Sequence, residues 1–208
     1  MCGIAGIVSF NNSPVSEGAL LAMRDTLSHR GPDDAGLYFS PDKKLGLAHK
    51  RLSVIDLSEA AHQPMCNEAC PECSRGNGTI WITYNGEIYN YRELGDRLRA
   101  LGHRFKSNSD AEVIIHGYEQ WGIEGLLERL RGMFAFALYD LRVTGHDSRF
   151  ILVRDRLGIK PLYFYYEDGI FVFASEIKAI LTSGLVSKKI DSQAAGLFLF
   201  YGSIPPPK

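Results

Sequence analysis

The chain is short of several things, and each shortage excludes a class. It has four cysteines in 208 residues, which does not make a disulfide scaffold. Its 23 basic residues are balanced by 24 acidic ones, so no global basic field points to nucleic acid or an anionic membrane. No apolar run approaches the roughly 20 residues of a spanning helix. The N-terminus lacks the basic start and long apolar stretch of a secretory signal. Phosphate loops of the G-x-x-x-x-G-K and G-x-G-x-x-G kinds are missing, as are internal repeats and low-complexity segments. What is present, 45% hydrophobic residues, suits one compact domain with a real core. The expectation is a soluble cytoplasmic protein with no nucleic-acid or membrane partner.

Hydrophobic spacing orders the elements. GIAGIVSF reads as a buried opening strand, and Leu20, Leu21, Met23 and Leu27 form a helical stripe. Gly31 and Pro32 break the chain after it. GLYFS and KLGLAHKRLSVID read as a hairpin around Pro41-Asp42. TIWITYN is rich in β-branched and aromatic residues, as strands are. YRELGDRLRALG is an amphipathic helix ending at Gly102. Ser109 to Trp121 is a second helix opened by a Ser109–Glu112 capping box, and IEGLLERLRG a third. Then MFAFALYDL, RFILVRD, PLYFYY and IFVFASE follow as four strands, and EIKAILTSG as a helix. Hairpins dominate, which predicts an α+β domain of antiparallel sheets covered by helices. Tyr163–Tyr166 and Phe171–Phe173 read as core aromatics, and His49, His103, His116 and His146 as surface or packing histidines.

MCGIAG raises the first chemical question. Cys2 is either a small buried hydrophobe or a nucleophile. The small side chain at position 2 favours removal of Met1, which places an α-amine titrating near ~8 on the same residue as a thiol near ~8.5. The amine can accept the thiol proton, and the thiolate is the attacking species. YNGEIYN reads at face value as a strand ending in an Asn-Gly turn. Yet attack on a carboxamide builds an oxyanion that needs donors fixed in advance. Asn85 offers a side-chain amide and Gly86 an unobstructed N–H. Arg51 is a planar fork suited to a carboxylate. Glu87 and Asp110 can pair with an ammonium group, although Asp110 is also an ordinary first-turn acid. A zwitterionic amino acid with a side-chain amide fits all of these groups.

MCGIAG, HRGPDD, AHKRLSVID, QPM, YNGEIYNY, SDAEVI, GMFAFALYD, RDRLGIKPLYF and ASEIKAIL occur in this order from residue 1 to about 183. Together they resemble the class II glutamine amidotransferase domain of the glutamine-hydrolysing asparagine synthetases. The resemblance implies the N-terminal-nucleophile hydrolase fold, an αββα arrangement of two antiparallel sheets between helical layers. It implies hydrolysis of L-glutamine to glutamate and ammonia, with Cys2 as nucleophile and its freed amine as base. Asn85 and Gly86 would form the oxyanion hole and Arg51 would hold the substrate carboxylate. Glu87 and Asp110 would hold the ammonium group, and Leu52, Ser53, Val54 and Ile55 would line the pocket. The domain would span 1–190, with 191–208 as a linker toward a C-terminal synthetase domain that uses ATP and magnesium to amidate aspartate. The glutaminase half itself would need no cofactor, and a homodimer stays open. A same-fold enzyme feeding a sugar or natural-product carboxylate is the alternative, as is a glutamine-binding domain without turnover.

The chain departs from this pattern twice. It lacks the S-G-G-x-D-S pyrophosphate loop of the synthetase half. It also carries an insertion, Cys66-Asn-Glu-Ala-Cys70-Pro-Glu-Cys73, before the TIWITYN strand. His62, Cys66, Cys70 and Cys73 could supply four zinc ligands; the plainer reading is an exposed loop with oxidisable thiols.

Overall fold

The computed structural model describes residues 1–67, 78–142 and 149–204. One sheet has five strands in the order β2-β3-β1-β9-β8: β2 (Asp34–Phe39), β3 (Leu45–Arg51), β1 (Gly3–Ser9), β9 (Ile170–Ala174) and β8 (Tyr163–Glu167). The other has four, β4 (Met65–Cys66), β5 (Ile80–Ile88), β6 (Gly132–Asp140) and β7 (Arg149–Arg154), in that order. Every pairing is antiparallel. Helices α1 (Glu17–Thr26) and α4 (Ile177–Thr182) accompany the first sheet, and α2 (Tyr91–Ala100) and α3 (Asp110–Arg129) the second. A last helix, α5 (Ser192–Tyr201), has no buried residue.

The period-two alternation of the strands builds the layers. In β1, Ile4 and Val8 point between the sheets, where they meet Tyr38, Leu45, Leu47, Trp81 and Phe173. Ala5 and Ile7 point the other way, onto Leu20, Met23, Leu27, Ala179 and Ile180 of the α1/α4 layer. In β5, Trp81 faces the first sheet while Ile80, Ile82, Tyr84 and Ile88 face Ala111, Ile114, Ile115 and Tyr118 of α3. Three apolar layers therefore separate four structural layers, the αββα arrangement. The middle layer is tight: the Tyr38 and Trp81 rings stack with centroids 3.8 Å apart, and truncating such a ring costs about 3–5 kcal/mol.

Several elements differ from the sequence expectation for physical reasons. The second hairpin strand stops at Arg51, because the Arg51 guanidinium draws in the carbonyls of Asp56 and Ser58 and curls the following segment. Asn85-Gly86 is not a turn. It lies inside β5, with Asn85 opposite Ala135 and Gly86 opposite Phe134. The second and third predicted helices are both present within α3, which a kink at Gly122 interrupts; its non-helical backbone, at φ 68°, is one that only glycine adopts readily. Ser109 does cap α3 through Ala111 N, but Glu112 does not close a capping box. Its carboxylate accepts instead from Lys106 N, Ser107 N and Ser107 Oγ. Of the β8 aromatics only Tyr165 packs against the core. Phe164 is 67% and Tyr166 60% exposed, while Phe173 is fully buried. An edge strand has only one neighbour to cover it.

Candidate active site

The strand periodicity that builds the middle layer also builds a cleft at one end of it. Cys2 precedes β1 with the parity of Ile4, and Arg51 ends β3 with the parity of Leu47 and His49. Asn85 stands on β5 with the parity of Trp81 and Thr83. The cleft, of about 190 Å³, is lined by Cys2, Arg51, Leu52, Val54, Ile55, Asn85, Gly86, Glu87 and Asp110, together with Met1, Asp56, Gln63, Tyr84, Ser109, Met133 and Lys160. Of the residues that the resemblance assigns to glutamine, Ser53 alone is absent from this lining. Its N–H is turned to Asp33 Oδ2 at 2.8 Å.

Cys2 Sγ lies 3.4 Å from the Leu52 N–H and 3.7 Å from the Leu52 carbonyl. Burial raises the thiol pKa; the Leu52 N–H, the chain N-terminus and Arg51 pull against that rise. The Cys2 carbonyl is held by Arg30 Nε at 2.9 Å, and Arg30 in turn meets Glu176 Oε1 at 3.2 Å. While Met1 is attached, the Cys2 nitrogen is a peptide N–H and not an amine.

Asn85 is 1% exposed, and its Nδ2 is buried with no hydrogen-bond partner among the described residues. An orphaned donor of this kind costs about 1–3 kcal/mol. The backbone beside it is also aimed. Tyr84 N donates to Gln63 Oε1 and Ile88 N to Asp110 Oδ2, so the even-numbered N–H groups of β5 point away from β6. The Gly86 N–H lies between them on that same side. A side chain at Gly86 would place Cβ 2.5 Å from Met133 O and 2.8 Å from Phe134 Cα, so close strand packing requires glycine here.

Two charges of opposite sign complete the cleft. Arg51, 7% exposed, is fixed by the Asp56 carbonyl and by Ser58 O at 3.1 Å. Asp56 itself is anchored by Ser58 and Asn108, whose hydrogen bonds outweigh its burial and hold its carboxyl below the usual range. Asp110 accepts Tyr84 Oη at 2.6 Å and Ile88 N at 2.9 Å, both on Oδ2. Burial lifts the Asp110 pKa, against those two hydrogen bonds, and Glu87 adds to the rise. Arg51 and Asp110 thus place a cation and a carboxyl group in the same cleft.

A family model described as a glutamine amidotransferase domain matches residues 1–208. The chain belongs to this family. It is 41% identical over 208 residues to asparagine synthetase [glutamine-hydrolyzing] 3 of Bacillus subtilis, covering 99% of this chain and 31% of that protein. It is 37% identical to a putative asparagine synthetase [glutamine-hydrolyzing] 2 of Methanocaldococcus jannaschii, covering 100% of this chain and 40% of that protein. The chain therefore spans well under half the length of these relatives. In fold it is similar to glutamine phosphoribosylpyrophosphate amidotransferase of B. subtilis, with a TM-score of 0.69 at 20% identity over 88% of this chain and 44% of that one. No helix among the described residues is long and apolar enough to cross a membrane.

Sequence reasoning missed Lys160, Tyr84, Gln63 and Arg30. Lys160 is 4% exposed, and its ammonium lies 3.3 Å from Met1 Sδ. A buried lysine in a strand-turn stretch carries no signal in one sequence, and nothing in YNGEIYN or QPM sets Tyr84 or Gln63 apart. Of the predicted zinc ligands, Cys70 and Cys73 lie outside the described residues, as does His146. Cys66 is buried in β4 with the Trp81 layer, and His62 Nδ1 sits 2.8 Å from Asp34 Oδ2.

Proposed function

We propose that this chain hydrolyses the side-chain amide of L-glutamine with Cys2 as nucleophile, once Met1 is removed. The observation that carries this reading is the buried Asn85 Nδ2, unpartnered among the described residues, beside the Gly86 N–H in the same cleft as the Cys2 thiol. A buried donor without a partner among the described residues, next to a backbone N–H, is what an oxyanion requires.

The freed Cys2 amine takes the thiol proton, directly or through water, and the thiolate attacks the amide carbon. The carbonyl oxygen gains charge against Asn85 Nδ2 and Gly86 N. Collapse expels ammonia, which leaves with the proton held by the amine, and a γ-glutamyl thioester remains on Cys2. Water then attacks the thioester, giving glutamate and restoring the thiol. Arg51 takes the substrate α-carboxylate. Asp110 and Glu87 take the ammonium group, and Leu52, Val54 and Ile55 supply the wall.

The fate of the ammonia rests on the relatives' names. Both are glutamine-hydrolysing asparagine synthetases, so we assign the acceptor step, with aspartate as acceptor and ATP and magnesium as its cofactors, to a synthetase domain outside this chain. The test is glutamate and ammonia release from glutamine by the purified chain, with intact mass and Cys2→Ala alongside. Turnover that scales with the fraction lacking Met1 and vanishes in Cys2→Ala is the expected result. A Met1-free, folded chain that binds glutamine without releasing ammonia would leave a binding domain in place of an enzyme.

A further inference from the structure

The second site lies on the outer face of the four-stranded sheet, away from the cleft. His116 and Glu119 stand three residues apart on α3, on one helix face. His103 comes from the chain just past α2. There Gly102, at φ 99°, turns the backbone so that His103 N bonds Leu98 O at 3.0 Å. That turn carries the His103 ring to within 5.1 Å of the His116 ring, centroid to centroid.

One ligand atom from each of His103, His116 and Glu119 lies within 4.8 Å of the others. His116 Nδ1 is 2.9 Å and His103 Nδ1 3.7 Å from Glu119 Oε2. Ligands on bonds of about 2.0–2.1 Å around a tetrahedral ion sit about 3.4 Å apart, and the two distances bracket that edge. Two of the three outward atoms are hydrogen-bonded. His103 Nε2 meets Gln120 Oε1 at 3.0 Å, whereas the buried His116 Nε2 makes no hydrogen bond among the described residues and lies 3.5 Å from Glu112 Oε1. Glu119 Oε1 accepts from Asn67 Nδ2 at 2.8 Å. Metal-binding histidines ordinarily donate their other ring N–H to such an acceptor, which fixes the ring and raises its basicity. Here that outer shell is in place behind His103 and Glu119, and the Glu112 carboxylate stands near His116 Nε2.

Access and charge agree with this geometry. The His116 side chain is 6% exposed, but those of His103 and Glu119 are 17% and 18% exposed, so one side is open to solvent. Phe105 packs on the His116 ring at 4.7 Å and shields the other side. Two imidazoles and one carboxylate suit a borderline cation better than magnesium or calcium, which prefer all-oxygen sets. Without a metal, the same atoms form an ion network: the Glu112 and Glu119 carboxylates outweigh burial and raise His116 to about 9.

We propose that His103, His116 and Glu119 form a zinc site with three protein ligands and a fourth position open to water. It is independent of the cleft and of the cysteines at 66–73. Zinc there would tie the end of α2 to α3. Through Asn67, which also holds Thr79 and Ile80, it would also fasten the two ends of the inserted segment.

The test is titration of the chelator-treated full chain with zinc ions alone, by calorimetry, with cobalt substitution read by visible absorption. The expected result is one equivalent bound by the parent and a rise in Tm on binding. His103→Gln, at a partly exposed position that leaves the carboxylate–His116 network in place, should bind at least about tenfold more weakly and lose the Tm rise. Cobalt should show no thiolate charge-transfer band, and a Cys70→Ser/Cys73→Ser variant should bind as the parent does. No binding by the parent, equal affinity in His103→Gln, or a thiolate band lost in the serine variant would each overturn the proposal.

Discussion

Tyr84 Oη donates a 2.6 Å hydrogen bond to Asp110 Oδ2, linking β5 to the first turn of α3 at the wall of the cleft. The consequence is electrostatic. Burial lifts the Asp110 pKa, and the Tyr84 hydroxyl is the strongest influence opposing it. Burial and the adjacent carboxylate push the Tyr84 pKa well above its usual value, so the phenol stays a donor. Tyr84→Phe removes the donor and keeps the ring. Hydrogen bonds to charged groups contribute about 1.5–3 kcal/mol, so KM for glutamine should rise about tenfold or more. The kcat should change far less, because the proposed reaction places Asp110 at the ammonium end and not at the reacting amide. The KM-to-kcat split in steady-state kinetics checks this; a loss confined to kcat would place Asp110 elsewhere in the mechanism.

Asn85 supports a prediction of the opposite kind. Its Nδ2 has no partner among the described residues, so native stability gains nothing from that donor. Asn85→Ala should lower kcat by about 10²–10³-fold with KM nearly unchanged. Its Tm should not fall as far as a buried side-chain truncation ordinarily demands, because an unsatisfied polar group leaves with it. Thermal melts run beside the kinetics decide the matter: a large drop in Tm together with intact kcat would mean that Asn85 is a packing residue.

How much of this was legible in the sequence follows from what each residue advertises. The apolar run GIAGIVS and the β-branched and aromatic content of IWITYN announced buried strands, and their two faces proved to lie in different apolar layers. Cys2, Arg51, Asn85 and Asp110 were legible because their chemistry is rare at such positions and suits one ligand. The Asn-Gly pair misled locally, since the commonest hairpin signal here sits mid-strand, where long pairing with β6 overrides turn preference. Glu112 misled in the same way: the spacing to Ser109 was right, but nearer N–H groups at 106 and 107 captured its carboxylate. The β8 aromatics read as core because composition cannot tell an edge strand from a central one. Lys160 and the His103–His116–Glu119 cluster depend on distances across the fold, which no single stretch encodes.

Gly86 is a steric prediction. A Cβ there meets backbone, Met133 O at 2.5 Å and Phe134 Cα at 2.8 Å, and backbone in a paired strand cannot swing aside as a flexible side chain could. Gly86→Ala should therefore push β5 from β6, costing about 1–3 kcal/mol, and displace the 86 N–H from the cleft. Activity should fall even under conditions where the variant is fully folded. Urea denaturation alongside ammonia release checks both parts; a stable and active Gly86→Ala would contradict the tight β5–β6 contact.

His49 gives a pH dependence whose sign can be worked out. Thr83 Oγ1 donates to the Ala48 carbonyl at 3.1 Å, so it accepts from His49 Nδ1 at 3.0 Å. The proton on Nδ1 leaves Nε2 bare, buried and without a partner among the described residues. Burial first, with help from the His62 and Arg51 charges and against Asp34, lowers the pKa to about 3. In the unfolded chain it returns to about 6.5. Between those values the unfolded state binds the proton and the folded state does not, so stability is lost as pH falls below about 6.5. By pH 5 the loss from this one group is about 2 kcal/mol. His49→Gln cannot take up that proton. Its unfolding free energy should fall between pH 7 and pH 5 by about 2 kcal/mol less than the parent's, whatever its absolute stability. Equal slopes in the two proteins would show that His49 is protonated in the fold.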